Sequence, residues 1–261
     1  MKVSFVIPTR NQAQFIRRCI DSCLAQGMPD AEILVVDGRS TDRTVEVLRE
    51  YGDRVRWVSE TDSGQSEAVN KGVRWASGDI IAWINSDDFY PDATALSDVV
   101  GAFERDPATD VVYGGALVVD ADGNVLRELC ARPMRSAKEL LVKPNAPFMQ
   151  PAMFFRREMF LATGGLRHDL HYAMDYDLWL RMLPRARKLR HLARPLACVT
   201  FHPGAKSIAG MLEQIRELGD LKRLHREEFE LGWRDRARLG AGMASLYSYW
   251  AAVRLGLRRV S

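Results

Sequence analysis

The chain has 261 residues, 47% hydrophobic and 27% charged, with a formal net charge of +3. That composition excludes an intrinsically disordered chain and supplies enough apolar side chains for a full core. The charge is too small to indicate a nucleic-acid partner, and no apolar run reaches the roughly 18 residues of a spanning helix.

Val3–Ile7 opens the chain as a short apolar strand, stopped by Pro8-Thr9-Arg10-Asn11. With this strand starting at once, no secretory leader is expected, and the reading is cytoplasmic. Asn11 is a candidate cap for a helix whose apolar residues Phe15, Ile16, Cys19, Ile20, Cys23 and Leu24 follow a helical period. The four cysteines (Cys19, Cys23, Cys130 and Cys198) form no CxxC pair and read as small core residues.

A second strand, Glu32–Val36, is broken by Asp37-Gly38, and Ser40-Thr41-Asp42 opens the next helix. Val55–Ser59, a helix over Ser66–Ala76 and the strand Asp79–Ile84 complete a βαβαβαβ order. That order implies a mostly parallel sheet with helices on both faces. Ligands of such sheets bind beyond the carboxyl ends of the strands. Pro8–Asn11, Asp37–Ser40, Glu60–Asp62 and Asn85–Asp88 all stand at those ends and should converge in one cleft.

Asp87 and Asp88 are adjacent carboxylates following a buried strand. Like charges so placed raise each other's pKa unless a cation lies between them. Hard oxygen ligands suit Mn²⁺ or Mg²⁺, bound by one or two carboxylates together with substrate phosphates.

The second half is less regular. Val111–Tyr113 and Ala116–Val119 read as strands with a turn at Asp120–Gly123, and Ser136–Glu139 as a capping box before a short helix. Ala152–Phe155 reads as a strand, Glu158–Ala162 as a helix stopped by Gly164-Gly165, and Asp175–Leu183 as a helix stopped by Pro184. Two further helices are expected around 207–229 and 235–256. The second carries Leu239, Met243, Leu246, Tyr247, Trp250, Val253, Leu255 and Leu257 as an apolar face, with Arg234, Arg236, Arg238, Arg254, Arg258 and Arg259 at its ends. Such a helix packs on the catalytic domain, meets a second subunit in an oligomer, or lies peripherally on the inner face of a membrane.

In order, Val6–Asn11, Val35–Asp42, Glu60–Gly64, Asn70-Lys71-Gly72, Ala76–Asp79 and Asn85–Asp88 resemble the family 2 inverting glycosyltransferases with the GT-A fold. The resemblance covers about residues 1–205. It implies a nucleotide-binding half (1–100) and an acceptor-binding half (101–205), followed by a C-terminal helical extension (206–261).

It also implies a nucleotide-sugar donor held by Pro8, Thr9, Arg10, Asn11, Asp37, Asp62, Lys71, Ser86 and Asp87. Asp87 would face the ribose and support the metal, and Asp88 would ligate Mn²⁺ or Mg²⁺. His202, after the last core strand, is a further candidate metal or diphosphate ligand, and Lys206 a candidate phosphate partner. Arg39 stands where a small residue is more usual.

The stretch Met174-Asp175-Tyr176-Asp177-Leu178-Trp179-Leu180-Arg181 resembles the family's Glu-Asp-x-Asp-Leu-Trp-x-Arg segment, with Met174 replacing Glu. Asp175 is thereby the candidate general base and Asp177 the second choice, read more as a positioning group. Gln150 is a candidate sugar contact, and Trp179 reads as core.

The acceptor implied is a glycan or a lipid-linked sugar. The Gln-x-x-Arg-Trp motif of the family's processive polymerases is missing, so a single addition is expected. Two rival readings are a sugar nucleotidyltransferase, which would carry a Gly-rich phosphate loop after the first strand, and a non-catalytic nucleotide-sugar or glycan-binding module.

Overall fold

A computed structural model describes residues 1–143, 146, 148–206, 210–229 and 231–254, leaving aside the side chains of 211, 243, 246, 247 and 249–254. Its strands are β1 (Val3–Thr9), β2 (Glu32–Asp37), β3 (Arg56–Ser59), β4 (Ile80–Trp83), β5 (Val111–Val119), β6 (Val125–Leu129), β7 (Met153–Arg156) and β8 (Leu189–Thr200). The α-helices are α1 (Ile16–Leu24), α2 (Thr44–Arg49), α3 (Gln65–Trp75), α4 (Ala95–Arg105), α5 (Lys138–Val142), α6 (Arg157–Ala162), α7 (Met174–Met182), α8 (Met211–His225) and α9 (Trp233–Arg254).

The strands form one sheet in the order β3-β2-β1-β4-β7-β5-β6, with β8 paired to β5. β3-β2-β1-β4 is parallel throughout, and β5–β8 is parallel too. β7 runs antiparallel to β4 and β5, and β6 antiparallel to β5. The expected parallel half is therefore present, joined to a mixed half.

β1 is buried along its whole length, as a central parallel strand covered on both faces must be. Its side chains alternate: Phe5 and Ile7 enter one core layer with α1 and α4, and Val6 enters the other with α3 and α7. The helix α1 buries Ile16, Cys19, Ile20 and Cys23, one stripe at helical spacing. Cys198 is buried as well, and Cys130 is exposed.

Several elements depart from the sequence expectation. Asn11 does not cap α1. It takes the left-handed conformation (φ 53°) and its Oδ1 accepts the Thr41 N–H at 2.8 Å, tying the loop after β1 to the loop after β2. In the expected capping box, the Glu139 carboxylate accepts the Arg135 N–H at 2.7 Å, and no side chain caps the start of α5. The helix α4 was not expected, although Leu96, Val99, Val100 and Phe103 follow a helical period.

The two expected strands at 111–119 are one, continuous through Gly114-Gly115. A Cβ on Gly114 would lie 2.8 Å from the Arg194 carbonyl oxygen, so only glycine admits β8 at this distance.

The C-terminal segment begins against residues of the second half. Lys222 donates to the Lys143 carbonyl, and Lys138 pairs with Asp235 at 3.0 Å. Ser207, the expected cap, lies outside the described residues. So do the side chains of Met243, Leu246, Tyr247, Trp250 and Val253, and residues Leu255 and Leu257, of the expected apolar face; Leu239, its first residue, is partly exposed. Arg234, Arg236 and Arg238 are exposed. Among the described residues no helix is long and apolar enough to cross a membrane.

Gly72 lets α3 lie directly on β1, since a Cβ there would stand 2.5 Å from the buried Val6 Cγ1. Alanine would gain about 1 kcal/mol of helix propensity. Crowding a stiff β-branched side chain in a closed core costs about 1–3 kcal/mol. Gly72→Ala is therefore expected to lower stability by about 1 kcal/mol, read as a reduced urea midpoint at unchanged m-value. A raised midpoint would contradict this packing.

Candidate active site

The parallel strands β1, β2, β3 and β4 release their loops at one end of the sheet, beside a cleft of about 700 Å³. Of the candidate residues, Pro8, Thr9, Arg10, Asp62, Ser86, Asp87, Asp88 and Asp175 line it. His202 is adjacent through Asp87. Asn11, Asp37, Lys71 and Asp177 are not among its walls.

Asp37 lies wholly buried beneath the loops. Its carboxylate accepts the Ser40 N–H at 3.0 Å, the Ser40 hydroxyl and the Ser59 hydroxyl at 2.5 Å. It closes the turn after β2 and joins that turn to β3. Lys71 is paired with Glu60. Arg39 is exposed and held at φ 55°, an uncommon conformation for a long side chain.

Asp62 occupies the space beside Gly38, where a Cβ would meet its Oδ2 at 2.8 Å. Burial raises the Asp62 pKa against the opposing Gly64 N–H bond, with nearby Glu67 adding to the rise.

The β4 end is tied to the β8 end. Asp88 is buried, and its Oδ1 accepts the Thr200 N–H at 2.9 Å. Asp87 Oδ2 stands 3.1 Å from His202 Nε2, and the Asp87 carbonyl accepts the Thr200 hydroxyl at 2.5 Å. The His202 ring packs on Phe15 with centroids 4.5 Å apart. Burial first, then the neighbouring Asp87 carboxylate, drives the Asp88 pKa well above the usual carboxylate range.

The residues present suit a divalent cation that shares its shell. Asp88, Asp87 and His202 are the donors on offer, and no three His, Cys, Asp or Glu side chains converge among the described residues. Such a partial set is what Mg²⁺ and Mn²⁺ use when phosphates and water complete the coordination. The charge count agrees. The cleft walls carry Asp62, Asp87, Asp88 and Asp175 against Arg10 and Lys206. A diphosphate entering that excess of carboxylates would be repelled unless a cation came with it.

Asp175 sits in the first turn of α7, half-buried at the cleft wall. Burial pushes its carboxyl up to about 6, against the Tyr176 N–H bond (2.7 Å) and the field of Lys206. A carboxylate with this pKa is poised to take a proton near neutrality.

Asp177 plays a different part. It is fully buried, accepting from Arg181 Nε at 2.8 Å and facing His225 Nε2 at 3.3 Å. Arg181 also donates to the carbonyls of Thr163 (2.7 Å) and Gly165 (2.9 Å). Burial raises the Asp177 pKa, but the bonds from His225 and Arg181 outweigh it and the net shift is downward. These bonds fix α7 to the glycine turn and to α8, the positioning role also weighed for Asp177.

Three buried polar atoms among the cleft-lining residues lack a protein partner: Thr9 Oγ1, Trp83 Nε1 and Gln150 Oε1. Gln150 is held in place by its amide, which donates to the Trp83 carbonyl at 2.6 Å. Trp179 packs edge-on against Phe148 with centroids 4.8 Å apart. The sequence reading missed Trp83, whose indole hid inside an apolar run. It also missed Gln65, which opens α3 and donates to Asn85 Oδ1 at 2.7 Å. Its position directly after Gly64 at a helix start was the available signal. Gln214 and Leu218 of α8 line the cleft too, and nothing local in the sequence marks them.

His225 links Asp177 to Glu228, and these hydrogen bonds raise its pKa, Asp177 contributing most. A histidine raised above its unfolded value of about 6.5 stabilises the fold fully below that pH. The contribution is lost as pH rises through the folded pKa. The stability gap between the parent and His225→Gln is expected to narrow as pH rises above about 6.5, followed by urea unfolding. A gap that widens with pH would refute the pairing.

The profile of glycosyl transferase family 2 matches residues 4–164. A hyaluronan synthase of Pasteurella multocida is 33% identical over 227 residues, covering 85% of this chain and 22% of that protein. The chain likewise spans 26% of a chondroitin synthase of Escherichia coli. Among solved structures, S. aureus TarS in complex with UDP-GlcNAc superposes with a TM-score of 0.67 at 15% identity, covering 94% of this chain and 80% of that one. The mannosyltransferase PcManGT of Pyrobaculum calidifontis, in complex with GDP-Man and Mn²⁺, gives 0.65 at 20% identity, covering 96% and 75%. With the profile spanning more than half of its residues and the parallel sheet superposing on these enzymes, the chain belongs to glycosyl transferase family 2 and has the GT-A fold.

Proposed function

We propose that the chain is a metal-dependent inverting glycosyltransferase that moves a sugar from a nucleoside-diphosphate donor to an acceptor hydroxyl. The observation that carries this reading is the presence of Asp175 in the same cleft as Asp87 and Asp88, on a different element. A displacement needs a group to receive the acceptor proton and a separate place for the leaving group's charge.

The loops after β1 and β3, with Arg10 and Asp62, would receive the nucleotide. The Lys206 ammonium would face the diphosphate, and Gln65 would hold it and Asn85 in place, since Gln65 Oε1 lies 3.3 Å from Lys206 Nζ. Asp88, with Asp87 and His202, would hold Mn²⁺ or Mg²⁺. When bound, the cation supplies Lewis-acid stabilisation to the departing diphosphate. Asp175 Oδ would take the proton from the attacking hydroxyl. With one base and one displacement, the anomeric configuration inverts. Gln150, on the cleft wall, would contact a sugar hydroxyl.

TarS with UDP-GlcNAc and PcManGT with GDP-Man and Mn²⁺ make these two nucleotide sugars the first donors to test. A glycan or lipid-linked acceptor in surface-glycan assembly, with a single sugar added per acceptor, completes the proposal. Peripheral membrane contact through α9 stays within it.

Asp175→Asn is expected to lower transfer by about 10²–10⁴-fold while nucleotide affinity holds, measured by nucleotide release and by calorimetry. In the parent, kcat/KM should fall as pH drops through about 6, where the Asp175 carboxylate becomes protonated. Full activity in Asp175→Asn would remove the base from the mechanism. Chelation, or Asp88→Ala, should abolish transfer. Products longer by more than one sugar in a mass spectrum would contradict single addition.

A further inference from the structure

The helix α8 lies in the segment that the sequence assigns to an appendage, yet it contacts the segment that carries Asp175. The Glu217 carboxylate accepts three consecutive backbone N–H groups: His171 at 2.9 Å through Oε1, and Tyr172 at 2.8 Å and Ala173 at 2.9 Å through Oε2. These residues lead directly into α7, where Asp175 is the second residue. The first four N–H groups of a helix and those just before it have no partner within the helix. A carboxylate there satisfies them and favours the positive end of the helix dipole.

The same helix is fixed at two further places. At its start, Gly210 packs against the Tyr172 ring, which a Cβ there would displace, lying 2.0 Å from it. At its end, His225 faces Asp177 at 3.3 Å. Between them, Gln214 and Leu218 line the cleft.

We propose that Glu217 is a positioning residue for the transfer reaction: it sets the backbone of 171–173, and through it the aim of the Asp175 carboxylate, while α8 forms part of the acceptor wall. The catalytic unit therefore extends past residue 205 to include α8. Charge-assisted bonds to backbone N–H groups are strong and directional. The segment between Gly165 and Met174 has no regular structure of its own to hold it. This inference rests on Asp175 being the base.

The test uses the full chain and four variants: Glu217→Ala, Glu217→Gln, Glu213→Ala and Asp175→Asn. Nucleotide release from UDP-GlcNAc and from GDP-mannose is measured with Mn²⁺ present. Affinity for the free nucleotide is measured by calorimetry, and amide exchange is followed across 171–175.

Glu217→Ala is expected to lower kcat by about tenfold to hundredfold, the loss that goes with roughly 1 Å of misplacement. Nucleotide affinity should stay within about twofold, and exchange at 171–173 should accelerate. Glu217→Gln should recover part of the loss, since one amide oxygen can still accept the Tyr172 and Ala173 N–H groups. Glu213→Ala, an exposed acid on the same helix, should match the parent.

A Glu217→Ala kcat within about twofold of the parent would overturn the proposal. So would a loss of nucleotide affinity in proportion to kcat, the signature of a merely unfolded fraction. Asp175→Asn separates the two ideas. If it retains turnover, the base assignment fails. If it loses turnover while Glu217→Ala keeps it, only the positioning role fails.

Discussion

Beyond the β4–β7 ladder, the two halves of the sheet are tied again at the Asp88 carboxylate. Asp88 follows β4, is buried, and accepts the Thr200 N–H from the end of β8, more than a hundred residues away. Asp87 adds its carbonyl to the Thr200 hydroxyl and its carboxylate to His202. A buried carboxylate is costly unless it is hydrogen-bonded or paired. The protein keeps two side by side and compensates them only in part, as the raised Asp88 pKa records. That residual cost lies where the proposed cation would sit.

Around this point the polar groups divide into those that build and those that face the cleft. Asp37, Asp177 and Asn11 place their oxygen atoms on neighbouring loops and helices. Asp62, Asp87, Asp88 and Asp175 remain at the cleft. The distinction lies in partners, not residue type. Asp177 has Arg181 and His225 and its pKa falls. Asp175, two residues away on the same helix, has no cationic partner in contact, and burial pushes it up to about 6. One helix thus holds two carboxylates whose pKa values are shifted in opposite directions.

The parallel half was legible because its signal is local and repeated. β1, β2 and β4 are short apolar runs punctuated by polar turns, and α1 and α3 carry clear helical periods. The mixed half was not. β6 exposes Val125 and Leu126 at its edge and lacks alternation, and β8 contains Pro195 and pairs with β5 across two register shifts. Both are strands because of what lies beside them. α4 had a readable period and was simply passed over.

By itself, the sequence determined the order of strands and helices at the amino end, the loops that reach the cleft and the residue types gathered there. These follow from burial periodicity and turn chemistry, which act over a few residues. The tertiary structure decided which carboxylate is free. It also decided that His202 meets Asp87, that the buried Trp83 indole N–H is left without a partner, and that Gln214 and Leu218 of α8 line the cleft. Each of these depends on contacts between segments distant in the chain, where burial and partner choice set the chemistry and no local pattern records them.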